Sequence, residues 1–257
     1  MKFLESFLPK LFITLIPSAE GVHLYGELRK NGKLIKRYDA QLLEGIAALE
    51  KTIRKLEKES SLTYIALLET EASQGLLSDC RDAQGIDLSS VDKICVESRW
   101  GIYMSKDDLF ERQKMYKNVG LDFLFSPFSL LYSFYQERLK NSDGLYLLIT
   151  SDFILSAVFK NSTMIFGKQI MMHDELALID GTKVLERYIE KIQAAVKDFY
   201  ENKVDDTMFI EKIFIADGLN FDTDLENRLE EALFVEVDKQ SIDLAHELVL
   251  LSEKELG

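Results

Sequence analysis

The chain has 257 residues, of which 47% are hydrophobic and 29% charged, a composition typical of a globular protein with a proper core. Its net charge of −13 disfavours direct binding of nucleic acid, and no stretch reaches the roughly 20 apolar residues of a membrane-spanning helix. Cys80 and Cys95 are too few for a disulfide framework or a four-cysteine metal site, which fits a reducing compartment.

Residues 11–39 predict three consecutive strands. Residues 11–16 are almost continuously apolar, as in a buried central strand, whereas residues 22–28 alternate as a half-exposed strand does. Asn31 and Gly32 form a strong hairpin signal before the third strand. An amphipathic helix follows, because apolar residues recur at helical spacing: Leu43, Ile46, Leu49, Ile53 and Leu56.

The middle of the chain predicts two strands and two helices. Strands are expected at residues 64–69 and 93–97, with Cys95 as a small core residue. Ser105 begins a capping box, so a helix should follow it and end near Gly120. Ser126 and Pro127 then begin an aromatic helix over residues 128–135. We expect that helix to be buried against the following sheet, with a ligand pocket as the alternative.

Residues 145–171 repeat the first pattern about 130 residues later. They predict strands at 145–150, 153–159 and 163–170, with a turn at residues 160–163, and residues 184–199 predict the following helix. A buried strand over 212–216 then ends at Asp217 and Gly218. A short helix at 224–232, a strand at 234–237 and a last amphipathic helix at 242–256 complete the second unit.

This repetition predicts an α/β fold of the actin-like, ribonuclease H-like type, in which duplicated βββαβα units form two lobes. The first lobe is predicted at residues 1–144, and the second at 145–257 with the C-terminal helix. Sugar kinases, chaperone ATPases and actin bind nucleotide between two such lobes.

Nucleotide binding on this scaffold needs glycines at the joints between strands, so that backbone amides approach the phosphates, and a carboxylate for Mg²⁺. The first joint, residues 16–21, has no Asp, and Pro17 removes an amide donor. The second, residues 150–153, contains Asp152 but no glycine. After the late strand a single glycine remains, Gly218, with an acid beside it that repels phosphate.

These departures predict a degenerate nucleotide site. The vestigial cleft candidates are Asp152, Asp217 and Gly218, and a turn-forming role is the alternative for Asp152. No cofactor is expected, with ATP and Mg²⁺ as the alternative. No HExxH, GxSxG, GxGxxG or GxxxxGK[ST] pattern is present, so no catalytic residues or metal ligands are predicted.

The chain resembles the actin-like cytoplasmic scaffold proteins of type IV pilus, type II secretion and DNA-uptake machines, namely the PilM class and the GspL cytoplasmic domain. The resemblance covers most of residues 10–240. It is carried by the duplicated unit, by the helix that ends at Gly120, and by residues 213–218 before a short helix and strand.

The resemblance implies a small subdomain inserted in the first lobe, at about residues 61–125. It also implies binding of a short segment from a membrane-anchored pilus or secretion protein. An assembly ATPase is a further candidate partner, and a homodimer stays open. The implied location is cytoplasmic, at the inner face of the inner membrane, through a partner or through a membrane helix that follows Gly257.

We therefore predict a non-catalytic assembly scaffold of a pilus, secretion or competence machine. The alternatives are a divergent actin-like ATPase or kinase that uses Asp152, and a polymerising cytoskeletal protein. Trp100 and Tyr103 are candidates for a partner groove because aromatic residues are enriched at binding surfaces, with a core role as the alternative for each.

Overall fold

The computed structural model describes residues 8–43, 45–71, 74–81, 86–172, 183–202, 208–222 and 224–256. In chain order the strands are β1 (Lys10–Ser18), β2 (Gly21–Lys30), β3 (Lys33–Leu42), β4 (Leu62–Leu68), β5 (Gln74–Leu77), β6 (Val91–Val96), β7 (Trp100–Ser105), β8 (Phe123–Phe125), β9 (Gly144–Ile149), β10 (Phe153–Lys160), β11 (Thr163–Met171), β12 (Lys212–Asp217) and β13 (Glu236–Ser241). The helices are α1 (Gly45–Leu56), α2 (Lys106–Met115), α3 (Pro127–Tyr135), α4 (Val184–Glu201), α5 (Asp224–Leu233) and α6 (Leu244–Glu255), with 3-10 turns at Glu57–Glu59 and Arg138–Lys140.

The chain forms two compact units. The first contains residues 1–73, 104–130 and 243–257, and the second contains residues 74–103 and 131–242. These units differ in two places from the predicted lobes 1–144 and 145–257. Residues 74–103 group with the second sheet, and the C-terminal helix α6 groups with the first.

The two large sheets have the same topology. The first has the order β3-β2-β1-β4-β8, and the second has the order β11-β10-β9-β12-β13. In each, the first three strands are antiparallel and the last two continue the sheet in parallel. The predicted duplication is therefore confirmed at the level of strand order and direction.

The inserted segment is shorter than the predicted range 61–125. Leu62–Leu68 pairs with β1, and Phe123–Phe125 pairs with β4, so both ends of that range belong to the first sheet. Between them, β5, β7 and β6 form a separate three-stranded sheet. The limits that the resemblance implied for the insertion are therefore too wide.

Local turn chemistry explains the hairpins and caps. Asn31 and Gly32 turn β2 into β3 with φ values of 52° and 71°, and Asn161 and Ser162 do the same after β10 with 50° and 60°. Such left-handed pairs match the twist of two-residue hairpins. The Ser105 hydroxyl accepts hydrogen bonds from the amides of Asp107 and Asp108 and begins α2 as predicted.

Helix α6 completes the first unit. Ala245 and Val249 pack against Phe12 and Tyr25 on one face of the first sheet. The Thr14 hydroxyl adds a hydrogen bond of 3.3 Å to the carbonyl of Ala245. Helix α1 covers the opposite face with three fully or almost fully buried side chains, Leu49, Ile53 and Leu56.

The second sheet is buried on both faces. Helices α4 and α5 cover one face, where Tyr188, Ile192 and Leu225 join a core with β9, β10 and β12. On the other face Tyr135 lies edge-to-face against Tyr146, with ring centroids 5.0 Å apart. The aromatic part of α3 is thus buried against the following sheet, as predicted.

The small sheet corrects the prediction for the cysteines. Cys80 and Cys95 form a disulfide with Cα atoms 5.8 Å apart, so neither cysteine of the chain is a free thiol. Cys95 is also exposed rather than a core residue. The bond disagrees with the reducing compartment that the cysteine count favours, because structural disulfides persist mainly in oxidising compartments. The two residues are 15 apart in sequence, and only the fold brings them together.

Reduction of this disulfide is expected to lower the free energy of unfolding by about 3 kcal/mol, because the bond closes a loop of 15 residues and restricts the unfolded chain. Urea unfolding with and without dithiothreitol measures the loss. The double variant Cys80→Ser, Cys95→Ser should match the reduced protein and should not respond to dithiothreitol. Equal stability of the oxidised and reduced wild type would contradict this expectation.

Candidate functional site

The candidate site elements lie at the carboxyl ends of β1, β9 and β12. Actin-like nucleotide sites are built at such joints, where backbone amides that are free of internal partners bind phosphate. Whether a joint can bind phosphate therefore depends on which groups already occupy its amides and carboxylates.

The first joint is a tight hairpin with little room for a phosphate. Ser18 pairs with Gly21, which leaves only two residues between β1 and β2. The Ser18 hydroxyl donates to the carbonyl of Gly21 at 3.3 Å. Gly21 has φ +134°, and a Cβ there would lie 2.2 Å from the carbonyl oxygen of Leu42. Because Gly21 has no side chain, the end of β3 can lie close to its backbone.

Thr150 organises the second joint. Its hydroxyl oxygen accepts hydrogen bonds from the amides of Asp152 at 3.3 Å and Phe153 at 3.0 Å, and its backbone amide donates to the carbonyl of Phe153. Asp152 accepts a hydrogen bond of 2.8 Å from the hydroxyl of its neighbour Ser151. The amides of Thr150, Asp152 and Phe153 are thus occupied within the turn.

Asp217 organises the third element, the loop after β12. Its buried carboxylate accepts hydrogen bonds from the amides of Leu219 at 2.9 Å and Phe221 at 2.7 Å. The ammonium of Lys239 lies 3.8 Å from the same carboxylate and donates to the carbonyl of Asp222. The Asp217 carboxylate therefore fixes the conformation of the loop after β12, the loop that would contact a nucleotide in a nucleotide-binding protein of this fold.

The structure brings the three vestigial candidates to one edge of the second sheet. The amide of Gly218 donates to the carbonyl of Ile149, which links the loop after β12 to the end of β9. The Tyr188 hydroxyl donates to the carbonyl of Thr150 at 2.7 Å. Burial raises the pKa of this hydroxyl above its ordinary range, and the charges of Asp152 and Asp217 raise it further. Tyr188 therefore stays a hydrogen-bond donor here.

These residues do not fit a nucleotide with Mg²⁺. Pro17 lacks an amide hydrogen, Thr150 occupies two amides of the second joint, and the carboxylate of Asp217 is bound to its own loop. Within the described ranges, no three His, Cys, Asp or Glu side chains cluster as metal ligands would. No helix of the described part is long and apolar enough to cross a membrane.

The two partner-groove candidates lie in the small sheet. Trp100 is fully buried, and its indole contacts the rings of Tyr132 and Phe159 edge-on at centroid distances of 5.4 and 6.0 Å. Trp100 is therefore a core residue, not part of an exposed groove. Tyr103 is half-buried and lies across Gly75, where a Cβ would come within 2.0 Å of its ring. Its role in binding stays a prediction.

A polar contact holds the small sheet against α3 within the second unit. The Tyr132 hydroxyl donates to a carboxylate oxygen of Glu97 at 2.8 Å, at the turn between β6 and β7. Burial and this hydrogen bond raise the pKa of Tyr132 to about 12, so the hydroxyl remains a donor. Arg99 also contacts Glu97 and donates to the carbonyl of Asn161.

The sequence did not reveal the roles of Thr150 and Tyr188. A threonine that ends a strand immediately before Ser151 and Asp152 is a local signal for a side chain that caps its own turn. The contact of Tyr188 with Thr150 spans 38 residues and carries no local signal.

The duplicated sheets define an actin-like fold. Solved structures agree. A protein from Bacteroides thetaiotaomicron with an actin-like ATPase fold and unknown function has a TM-score of 0.57 at 12% identity, over 97% of this chain and 98% of that one. A chain of the PilM-PilN type IV pilus biogenesis complex has a TM-score of 0.57 at 12% identity, over 91% of this chain and 89% of that one.

Two family models match parts of the sequence. Residues 7–132 match a domain of unknown function (DUF8569), and residues 183–257 match a second domain of unknown function (DUF8341). No curated protein sequence matches the chain.

Proposed function

We propose that this protein is a non-catalytic assembly scaffold of a type IV pilus, type II secretion or competence machine. On this proposal it binds a membrane-anchored partner and works at the inner face of the inner membrane, a reducing location in which the Cys80–Cys95 disulfide would open. The fold shared with a chain of the PilM-PilN complex supports the class of protein. The proposal that the protein is not an enzyme rests on one observation. The amides of Asp152 and Phe153 donate hydrogen bonds to the Thr150 hydroxyl oxygen, so they do not face a phosphate.

The proposal predicts which proteins accompany the chain in its own cell. Affinity capture of the tagged chain from detergent-solubilised membranes should recover a pilus, secretion or competence protein with a membrane anchor. A second capture from the soluble fraction provides the control. Recovery of no component of such a machine from membranes would count against the scaffold function, and filaments in a sedimentation assay would support a cytoskeletal protein instead.

Titration with Mg-ATP or Mg-ADP is expected to give no heat of binding, even at millimolar nucleotide. The reason is that the joints offer few free amides and that the carboxylate of Asp217 is already bonded. Isothermal calorimetry on the purified chain measures this. Heat at micromolar nucleotide that disappears in Asp152→Asn would favour a divergent ATPase or kinase over the scaffold.

A further inference from the structure

Basic residues concentrate in one segment of this acidic chain. Residues 29–58 contain nine Lys or Arg and four Asp or Glu, a net charge of +5, whereas the whole chain has −13. The segment forms the end of β2, strand β3, helix α1 and the first residues of the turn that follows. Charge is therefore unevenly distributed, and its positive part belongs to the first unit.

Strand register places the hairpin tip and the end of α1 at the same end of the first sheet. Lys10 pairs with both Arg29 and Leu62, so the tip after β2 lies at the end where β1 and β4 begin. Helix α1 starts beyond the other end of β3 and finishes just before β4. The Lys36 ammonium lies 3.3 Å from a carboxylate oxygen of Glu59, which joins the hairpin directly to the turn after α1.

We call this surface the basic end and define it by four exposed lysines, Lys30, Lys33, Lys55 and Lys58. None of the four lies within ion-pair distance of a carboxylate in the described part of the chain. By contrast, the neighbouring Arg29 and Arg37 are bound to the buried Glu27. Among the described residues, four positive charges therefore face solvent without a carboxylate at ion-pair distance.

Exposed aliphatic side chains accompany these lysines. Leu34 and Ile35 follow the hairpin tip and are 42% and 55% exposed, and Leu8 is exposed just before β1. The Ser60 hydroxyl donates to the carbonyl of Pro9 at 2.7 Å, which fixes that end of the chain beside the end of α1. Aliphatic residues bordered by lysines are typical of protein surfaces that lie on anionic lipid, where the aliphatic groups enter the headgroup region.

Other exposed apolar residues have a different setting. Phe234 is 93% exposed, but its neighbours along the chain include Glu230, Glu231 and Glu236. The negative charges around Phe234 would repel an anionic surface. The basic end is therefore distinguished by its combination of exposed apolar residues and positive charge, and not by exposed apolar residues alone. A surface for single-stranded nucleic acid would add exposed aromatic rings for base stacking, and the basic end has aliphatic groups instead.

We propose that the basic end binds the surface of an anionic lipid bilayer, with Leu34 and Ile35 in the headgroup region and the four lysines beside lipid phosphates. The acidic charge elsewhere on the chain does not prevent this, because the Debye length of about 8 Å at physiological salt screens distant charges. This contact does not require a pilus or secretion partner. The experiment that tests it is therefore separate from the test of the proposed function.

Vesicle flotation with the full chain tests the proposal. The chain should float with vesicles of phosphatidylcholine and phosphatidylglycerol, but not with phosphatidylcholine alone, and high salt should release it. Lys55→Gln, Lys58→Gln should weaken binding about 25-fold, because each lysine near an anionic bilayer contributes about five-fold. Leu34→Ser, Ile35→Ser should weaken binding at unchanged charge.

The matched control carries the same change of charge on the second unit. Lys140→Gln, Lys197→Gln removes two exposed lysines of that unit and should float like the wild type. Equal flotation of the wild type with both vesicle types, or equal weakening by the two lysine pairs, would overturn the proposal. Binding of soluble polyglutamate without flotation would also overturn it, in favour of an acidic protein partner.

Discussion

Replacement of Glu27 by alanine is expected to lower the free energy of unfolding by about 3–5 kcal/mol, the usual cost of leaving buried ion-pair partners without their counter-charge. Glu27 is fully buried in β2. Its carboxylate accepts hydrogen bonds from the Tyr25 hydroxyl at 2.6 Å and from His246 at 2.9 Å. The Arg29 guanidinium lies 3.3 Å from its second oxygen and also contacts Glu253.

This cluster joins β2 to α6, so its loss should affect the docking of the C-terminal helix. Urea unfolding followed by circular dichroism measures the change. Glu59→Ala is the matched control, because Glu59 is exposed and pairs across the surface with Lys36. It should cost at most about 1 kcal/mol. A similarly small loss in Glu27→Ala would show that the cluster does not stabilise the first unit.

The same carboxylate gives the stability a defined dependence on pH. Burial alone would raise the pKa of Glu27, but the hydrogen bonds from Tyr25 and His246 and the charge of Arg29 outweigh it and lower the pKa below its ordinary 4.5. The stabilisation is present above the unfolded-state pKa and is lost as pH falls through the lower folded-state pKa. Glu27→Gln should therefore reduce the loss of stability between neutral and acidic pH.

Replacement of Trp100 by alanine is expected to cost about 3–5 kcal/mol, because it empties a large volume in a packed core. The indole is fully buried between Tyr132 and Phe159, where the small sheet contacts the second large sheet. Trp100 is the only tryptophan, so its fluorescence is lost in the variant and circular dichroism must follow the urea unfolding.

Phe234→Ala provides the comparison for this variant. Phe234 is almost fully exposed, so its removal should change stability by no more than about 0.5 kcal/mol. A Trp100→Ala variant as stable as Phe234→Ala would contradict the core position of the indole and would restore Trp100 as a candidate for partner binding.

The sequence predicted those parts of the fold that depend on neighbouring residues. The pairs at Asn31 and Asn161, the Ser105 cap and the alternation of β2 are local, and the repeated order of strands and helices followed from them. Pro17 and the absence of glycine at residues 150–153 are likewise visible in the sequence, and the loss of nucleotide binding that they indicate stays a prediction.

The parts that were missed depend on which surfaces meet. Periodicity gives the buried face of α6 but not the sheet against which that face packs. The helix was therefore assigned to the second lobe, whereas it belongs to the first unit. Cys80 and Cys95 are brought together by strand pairing, which spacing alone does not indicate. Trp100 lies in a stretch without clear periodicity, so its burial was visible only in the folded chain.

The return of α6 to the first sheet also determines when that sheet can be finished during synthesis. β1 and β2 leave the ribosome before α6 does, so the apolar face that carries Phe12 and Tyr25 gains Ala245 and Val249 only after the intervening residues have been translated. Until then that face is open, together with the buried Glu27 that awaits His246. Before α6 is made, the nascent chain therefore exposes an apolar surface that a chaperone can bind. A variant truncated before residue 244 would keep that surface exposed.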